Sequence, residues 1–217
     1  MSVNRRDFCA AATSLATAGL LPSSVLAQAR VPQAGADFIP LGHLAPVDAA
    51  AGKIEVLAFF WYGCPHCHAF EPVLGAWAGQ LPSDVAFRRV PVAFQSSYLL
   101  HQRLFYALDG MGLLAQLHDK VFAAIHVARQ NLLSERAITE WVAGQGVDTT
   151  RFASHFNSFG TSTKARRANQ LMAAYQVDGV PALGVAGRFY TDAAMTRAMD
   201  RVLQVANFLV AEVRAGR

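Results

Sequence analysis

Apolar and polar positions along the chain divide it into stretches of different period. Lys53 to Trp61 (KIEVLAFFW) is an apolar run of strand length stopping at Gly63, the pattern of a central strand covered on both faces. Cys64 to Leu81 follows as a helix with Pro65 in its first turn, where a missing N–H costs nothing. Val85 to Val92 (VAFRRVPV) has strand character, and Pro91 places its end at an edge or exit. From Ser96 to about Gly160 the period becomes helical. Leu100, Leu104 and Leu108, then Leu114, Leu117, Val121 and Ile125, recur every three or four residues. Gly110 and Gly112 mark the first break, and Ser134 and Asp148 stand where N-caps are expected. A long helix is predicted from about Thr161 to Tyr175. Strand signals return at Ala182 to Val185 and Arg188 to Tyr190, joined by a tight Ala186-Gly187 turn. Thr191 or Asp192 can cap one final helix through Met195, Met199, Val202, Ala206, Leu209 and Val213. The order strand, helix, strand, helical block, strand, strand, helix predicts an α/β domain interrupted by an all-helical insertion.

The first residues do not belong to that pattern. Asn4-Arg5-Arg6-Asp7-Phe8, a short apolar run from Ala10 to Leu21, and Val25-Leu26-Ala27 read as a signal peptide over 1–27, cleaved after Ala27 or Ala29. The run is too short to span a bilayer, which takes about 20 residues. Arg5-Arg6 followed by Asp7-Phe8, with an h-region of Ala, Thr, Ser and Gly, also fits a twin-arginine signal; an ordinary secretory signal with two arginines leads to the same compartment. Residues 28–36, rich in Ala, Gln and Gly, are expected to be loose.

Composition changes the picture only slightly. Of 217 residues 53% are hydrophobic, enough for a substantial core. Cleavage removes Arg5, Arg6 and Asp7 and leaves 17 basic against 14 acidic residues, a mild +3. The densest basic group, Lys164, Arg166 and Arg167, is explained by a solvated helix face, so no nucleic-acid partner is expected.

Cysteine usage is more telling. Of three cysteines, Cys9 leaves with the signal, and the mature chain keeps only Cys64 and Cys67. An exported chain with one close pair is not a disulfide-stapled scaffold. In Cys64-Pro65-His66-Cys67, at a strand-to-helix junction, the first sulfur sits at the helix N-terminus and the second in the next turn. Free N–H groups and the helix dipole there favour a Cys64 thiolate, and His66 can add a hydrogen bond or charge. Favouring the thiolate favours the reduced pair and makes the disulfide a stronger oxidant. Cys64-x-x-Cys67-His68 also matches c-type haem attachment. Zinc would need His66, His68 or distant histidines to complete four ligands, and a purely structural disulfide closing two residues would stabilise little. Gly179-Val180-Pro181, about 115 residues after the cysteines, opens a strand. Its Val180–Pro181 bond is expected to be cis, leaving Val180 backbone free to pair with an extended substrate.

With Phe59-Phe60-Trp61-Tyr62-Gly63-Cys64-Pro65-His66-Cys67, the helical insertion and Val177-Asp178-Gly179-Val180-Pro181-Ala182, the chain resembles the DsbA thiol oxidases of bacterial periplasms. The resemblance implies a thioredoxin fold over 28–94 and 164–217 with a helical insertion over 95–163. It implies Cys64 as the nucleophile, Cys67 as the buried resolving sulfur and Pro181 as the cis-proline. It further implies a periplasmic monomer that oxidises reduced exported polypeptides without cofactor or metal and is reoxidised by a DsbB-like, quinone-linked membrane oxidase. A disulfide reductase or isomerase is the alternative, although residues 28–52 are too few for an isomerase's dimerisation domain.

The chain departs from the family at one position. Members commonly carry a buried glutamate six residues before the first cysteine, where this chain has Ala58; Arg89 stands in the place of that glutamate's basic partner. Glu55 or water is then left to serve the inner sulfur. Trp61, Tyr62 and Phe94 either line an apolar patch beside Cys64 or belong to the core. His101, His118, His126 and His155, irregularly spaced on the helical block, are expected in surface or capping roles.

Overall fold

A computed structural model describes residues 30–217; the signal-peptide expectation and Cys9 lie outside the described residues. A five-stranded sheet has the order β1-β5-β4-β2-β3, formed by β1 (Ile39–Pro40), β2 (Ile54–Phe60), β3 (Val85–Pro91), β4 (Ala182–Val185) and β5 (Phe189–Asp192). β2 and β3 are parallel, joined through helix α1 (Pro65–Ala78), and the other pairs are antiparallel. The helical block comprises α2 (Leu99–Gly110), α3 (Leu114–His126), α4 (Glu135–Gly144) and α5 (Thr149–Phe156), followed by α6 (Phe159–Ala174). This is the α/β thioredoxin fold with a helical insertion that the sequence predicts. Among the described residues no helix is long and apolar enough to cross a membrane.

The central strand shows why the period of KIEVLAFFW was uninformative: every residue from Glu55 to Phe60 is buried. Leu57 and Phe59 point into one layer with Leu171 of α6 and with Tyr175, the residue that follows that helix. Ala58 points the other way, against Phe70 and Leu74 of α1 and against Val202 and Ala206 of α8 (Met199–Arg214). Phe60, at the strand's end, enters a separate core with Leu104, Phe105 and Phe122 of the insertion. One strand thus supports three packing layers, and its last residue ties the insertion to the sheet.

The boundaries expected from sequence hold closely, with three corrections. Ser134 and Asp148 cap α4 and α5, their side chains accepting from the N–H groups of Ala137 and Arg151. The Ala186-Gly187 turn has positive φ at both residues (52° and 69°), the conformation that matches the twist of a two-residue hairpin. The first correction concerns residues 33–36, which are held in a turn by Ala36 and Asp37 N–H groups donating to the Gln33 carbonyl. The second is β1, two residues long and so too short for any period, which pairs Ile39 with Tyr190. The third is the final helix. Asp192 caps a single turn, α7 (Ala193–Thr196), and the chain breaks at Arg197, whose φ of 59° is left-handed, before α8 begins.

Leu57, fully buried on the central strand, tests this layering. Leu57→Ala should lower the unfolding free energy by about 2–5 kcal/mol, read from the urea midpoint at unchanged slope. A loss below about 1 kcal/mol would mean that the α6 layer does not depend on it.

Candidate active site

The site forms where β2 ends. Trp61, Tyr62 and Gly63 turn the chain, the Cys64 N–H donates to the Trp61 carbonyl at 3.0 Å, and α1 starts at Pro65. Gly63 is required by space, since a Cβ there would stand 2.3 Å from the Trp61 ring. That ring stacks on Tyr98 at 3.6 Å. Cys64 occupies the N-cap position with extended backbone (φ −85°, ψ 117°), and its sulfur accepts from the Cys67 N–H at 3.4 Å. A sulfur here takes the part usually played by a Ser, Thr or Asp oxygen.

Both cysteines are free thiols, and their environments differ sharply. A hydrogen bond with the Cys67 thiol is the largest of the effects that bring the Cys64 thiol down to about 6. Burial opposes it, and backbone N–H groups of Cys67 and His66 and the His66 imidazole add to the lowering. Burial pushes the Cys67 thiol far up, helped by Cys64 and by the charge of Glu71. Pro65 and His66 are exposed on the first turn, whereas Cys67 faces inward with Phe70, Glu71 and Leu74.

The second expected motif meets the first through sheet register. Antiparallel pairing of Ala182 with Phe59 brings the preceding Val180–Pro181 peptide, which is cis, to the level of Cys64. The Cys64 thiol donates to the Val180 carbonyl at 3.4 Å, across 116 residues of sequence. A cavity of about 310 Å³ opens alongside, lined by His66, Val180, Pro181 and Met199. All six residues singled out from sequence, Cys64, Pro65, His66, Cys67, Val180 and Pro181, therefore lie together.

Beneath the cysteines lies a polar group that the sequence did not reveal. Ala58 lies beside Arg89 in the β2–β3 register, on the face turned to α1. The Arg89 guanidinium bonds to Glu71 of α1 through Nε at 2.9 Å and through Nη2. The carboxylate absent at position 58 thus arrives from the helix, four residues after Cys67, and not from Glu55, which accepts from Arg88 and from the Asp48 N–H. Burial works to raise the Glu71 carboxyl, but His118 and Arg89 outweigh it and hold it below the usual range. The available signal was a Glu one helical turn after Cys67 on the same apolar face.

The histidines also correct the sequence expectation. His118 is buried and shares a 2.8 Å hydrogen bond between Nδ1 and the Tyr62 hydroxyl. His101 is buried too, donating from Nε2 to the Leu132 carbonyl at 3.0 Å, and burial holds its pKa down at about 4. His126 Nε2 donates to the Tyr62 carbonyl at 2.8 Å, and His68 stacks on the His126 ring at 5.0 Å. Cys67 and His68, on α1, are therefore engaged against the packed insertion, which speaks against haem attachment. Tyr62 belongs to the core, Trp61 is partly covered, and Phe94 is exposed.

A dithiol at the head of α1, facing a cis-proline strand of a thioredoxin sheet, defines a thiol:disulfide oxidoreductase. A family model described as a DSBA-like thioredoxin domain matches residues 84–204. The thiol:disulfide interchange protein DsbA of Burkholderia cepacia is 39% identical over 202 residues, covering 93% of this chain and 95% of that protein. The protein of the same name from Bordetella parapertussis is 42% identical over 177 residues, 82% of this chain and 84% of that one. The crystal structure of Pseudomonas aeruginosa DsbA superposes with a TM-score of 0.81 at 38% identity, covering 85% of this chain and 96% of that one. The chain belongs to the DsbA family.

Cys64 makes a pH prediction for the reduced protein. Its folded pKa, about 6, lies below the unfolded thiol value, so its contribution to stability is complete above the unfolded pKa and is lost as pH falls through about 6. Reduced wild type should therefore lose thermal stability relative to Cys64→Ala between pH 9 and pH 6. Parallel pH profiles of the two melting temperatures would show that the thiolate is not stabilised.

Proposed function

We propose that the protein is a dithiol oxidase of the periplasm, using the Cys64–Cys67 disulfide to oxidise reduced exported polypeptides. A substrate thiolate attacks Cys64 Sγ, and the S–S bond breaks with its electron pair passing to Cys67 Sγ, which takes up a proton. A second substrate thiolate attacks the substrate sulfur of the mixed disulfide, and Cys64 leaves as thiolate. Two electrons pass from substrate to enzyme. The observation that carries this reading is the division of the two thiols, Cys64 held at about 6 as the N-cap of α1 and Cys67 held protonated by burial. A stabilised Cys64 thiolate is a good leaving group and favours the reduced pair, so disulfide flows outward. Pro65 starts the helix and His66 adds positive charge. Val180, with Pro181 fixing its backbone, offers the edge on which an extended substrate segment pairs. We place the insertion at 95–163, with 28–94 and 164–217 forming the thioredoxin part and 1–27 serving as the signal. The protein acts as a monomer and needs no cofactor. Reoxidation falls to a DsbB-like, quinone-linked membrane oxidase.

Cys64→Ser should abolish oxidation of a reduced dithiol peptide, and in the reduced wild type Cys64 should be alkylated first near pH 5. Preferential labelling of Cys67 would reverse the roles. The redox equilibrium of the pair with glutathione separates oxidase from reductase, an oxidase lying well toward the reduced pair. His66→Leu should raise the Cys64 pKa and weaken the oxidant by about tenfold in that equilibrium for each pKa unit. An unchanged equilibrium would leave His66 without a role in poise.

A further inference from the structure

His118 Nε2, on a residue only 8% exposed, has no hydrogen-bond partner. It lies 3.4 Å from Glu71 Oε2. This is too long and too poorly directed for a charge-assisted hydrogen bond, which closes to about 2.7–2.9 Å. Buried polar atoms are normally satisfied, so an orphaned nitrogen aimed at a carboxylate requires a cause. The spacing itself suggests one: with metal–nitrogen and metal–oxygen bonds of about 2.0–2.2 Å and a tetrahedral angle, the two donors stand about 3.4 Å apart. The next residue of α3, Asp119, is exposed and adds a carboxylate, and one donor atom from each of Glu71, His118 and Asp119 lies within 4.8 Å of the others.

We propose that Glu71, His118 and Asp119 form a binding site for a divalent transition cation of the zinc type, with water as the fourth ligand. A His and two carboxylates are a donor set suited to such an ion, borderline in softness. The surroundings are those of a prepared site. Arg89 engages Glu71 Oε1 and thereby leaves Oε2 turned to His118. The Tyr62 hydroxyl meets His118 Nδ1, and with the Nδ1 proton donated to that oxygen, Nε2 keeps its lone pair for the metal. All three residues line a cavity of about 890 Å³ bounded by α1, α2, α3, β3 and α6, through which an ion and its water can enter. The cysteines supply no ligand to the site.

The test is calorimetric titration of the untagged, oxidised protein with Zn²⁺ alone, the disulfide form withholding both sulfurs from the metal. One equivalent should bind, and the dissociation constant should rise at least about tenfold in Asp119→Asn and in His118→Gln. Absence of binding to the oxidised wild type overturns the proposal. So does wild-type affinity in Asp119→Asn, which, being an exposed change, decides the matter even where His118→Gln fails to fold. Peptide oxidation by the same wild-type sample, measured in parallel, reports the thiol chemistry separately.

Discussion

The rest of the site depends on a sulfur acting as a helix cap. The N–H groups at the start of α1 lack partners within the helix, Pro65 having none to offer, and Cys64 Sγ, set in the N-cap position, accepts from that of Cys67. The same contact starts the helix and adds to the lowering of the thiol to about 6, of which the hydrogen bond with the Cys67 thiol is the largest cause. Structure and reactivity therefore share this interaction. Oxidation removes the thiolate that the helix end favours, so the disulfide is the less accommodated state and tends to be passed on. A residue without charge at the cap would keep the helix but lose this asymmetry.

Cys67, three residues on, experiences the opposite environment only because the helix is pressed onto the sheet and the insertion. Its face of α1 also carries Phe70, Glu71 and Leu74, all buried. Glu71 is retained there because Arg89 reaches it from the neighbouring strand; an unpaired carboxylate in that place would be costly. Its negative charge helps keep the Cys67 proton in place. The insertion contributes as more than a cover, since Tyr62 is gripped at both ends by α3, through His118 at the hydroxyl and His126 at the carbonyl. The loop that aims Cys64 is thereby fixed from the helical side as well as from β2.

What the sequence determined by itself was whatever depends on neighbours along the chain. The helical period, the caps at Ser134 and Asp148, the strand-length run KIEVLAFFW and the position of Cys64 at the head of α1 follow from spacing and local hydrogen bonding. Resemblance in the Cys-Pro-His-Cys and Val-Pro-Ala segments added the fold and the chemistry. Two-residue β1 and the break at Arg197 escaped because a period needs more than one turn or one pair of residues to show.

Tertiary structure alone decided which charged groups share the buried space. Ala58 was legible as a missing carboxylate, yet its replacement by Glu71 was not, because the two positions belong to a strand and a helix that meet only after packing. Arg89 has the same Cα neighbour in either case, and only the fold directs its guanidinium to the helix. His118 and His101, polar residues on otherwise ordinary helices, were read as surface or capping groups because helical spacing tells which residues share a face but not what that face meets. Long-range register did the same for Val180: 116 residues separate it from Cys64, and the antiparallel pairing of β4 with β2 sets its carbonyl 3.4 Å from the sulfur.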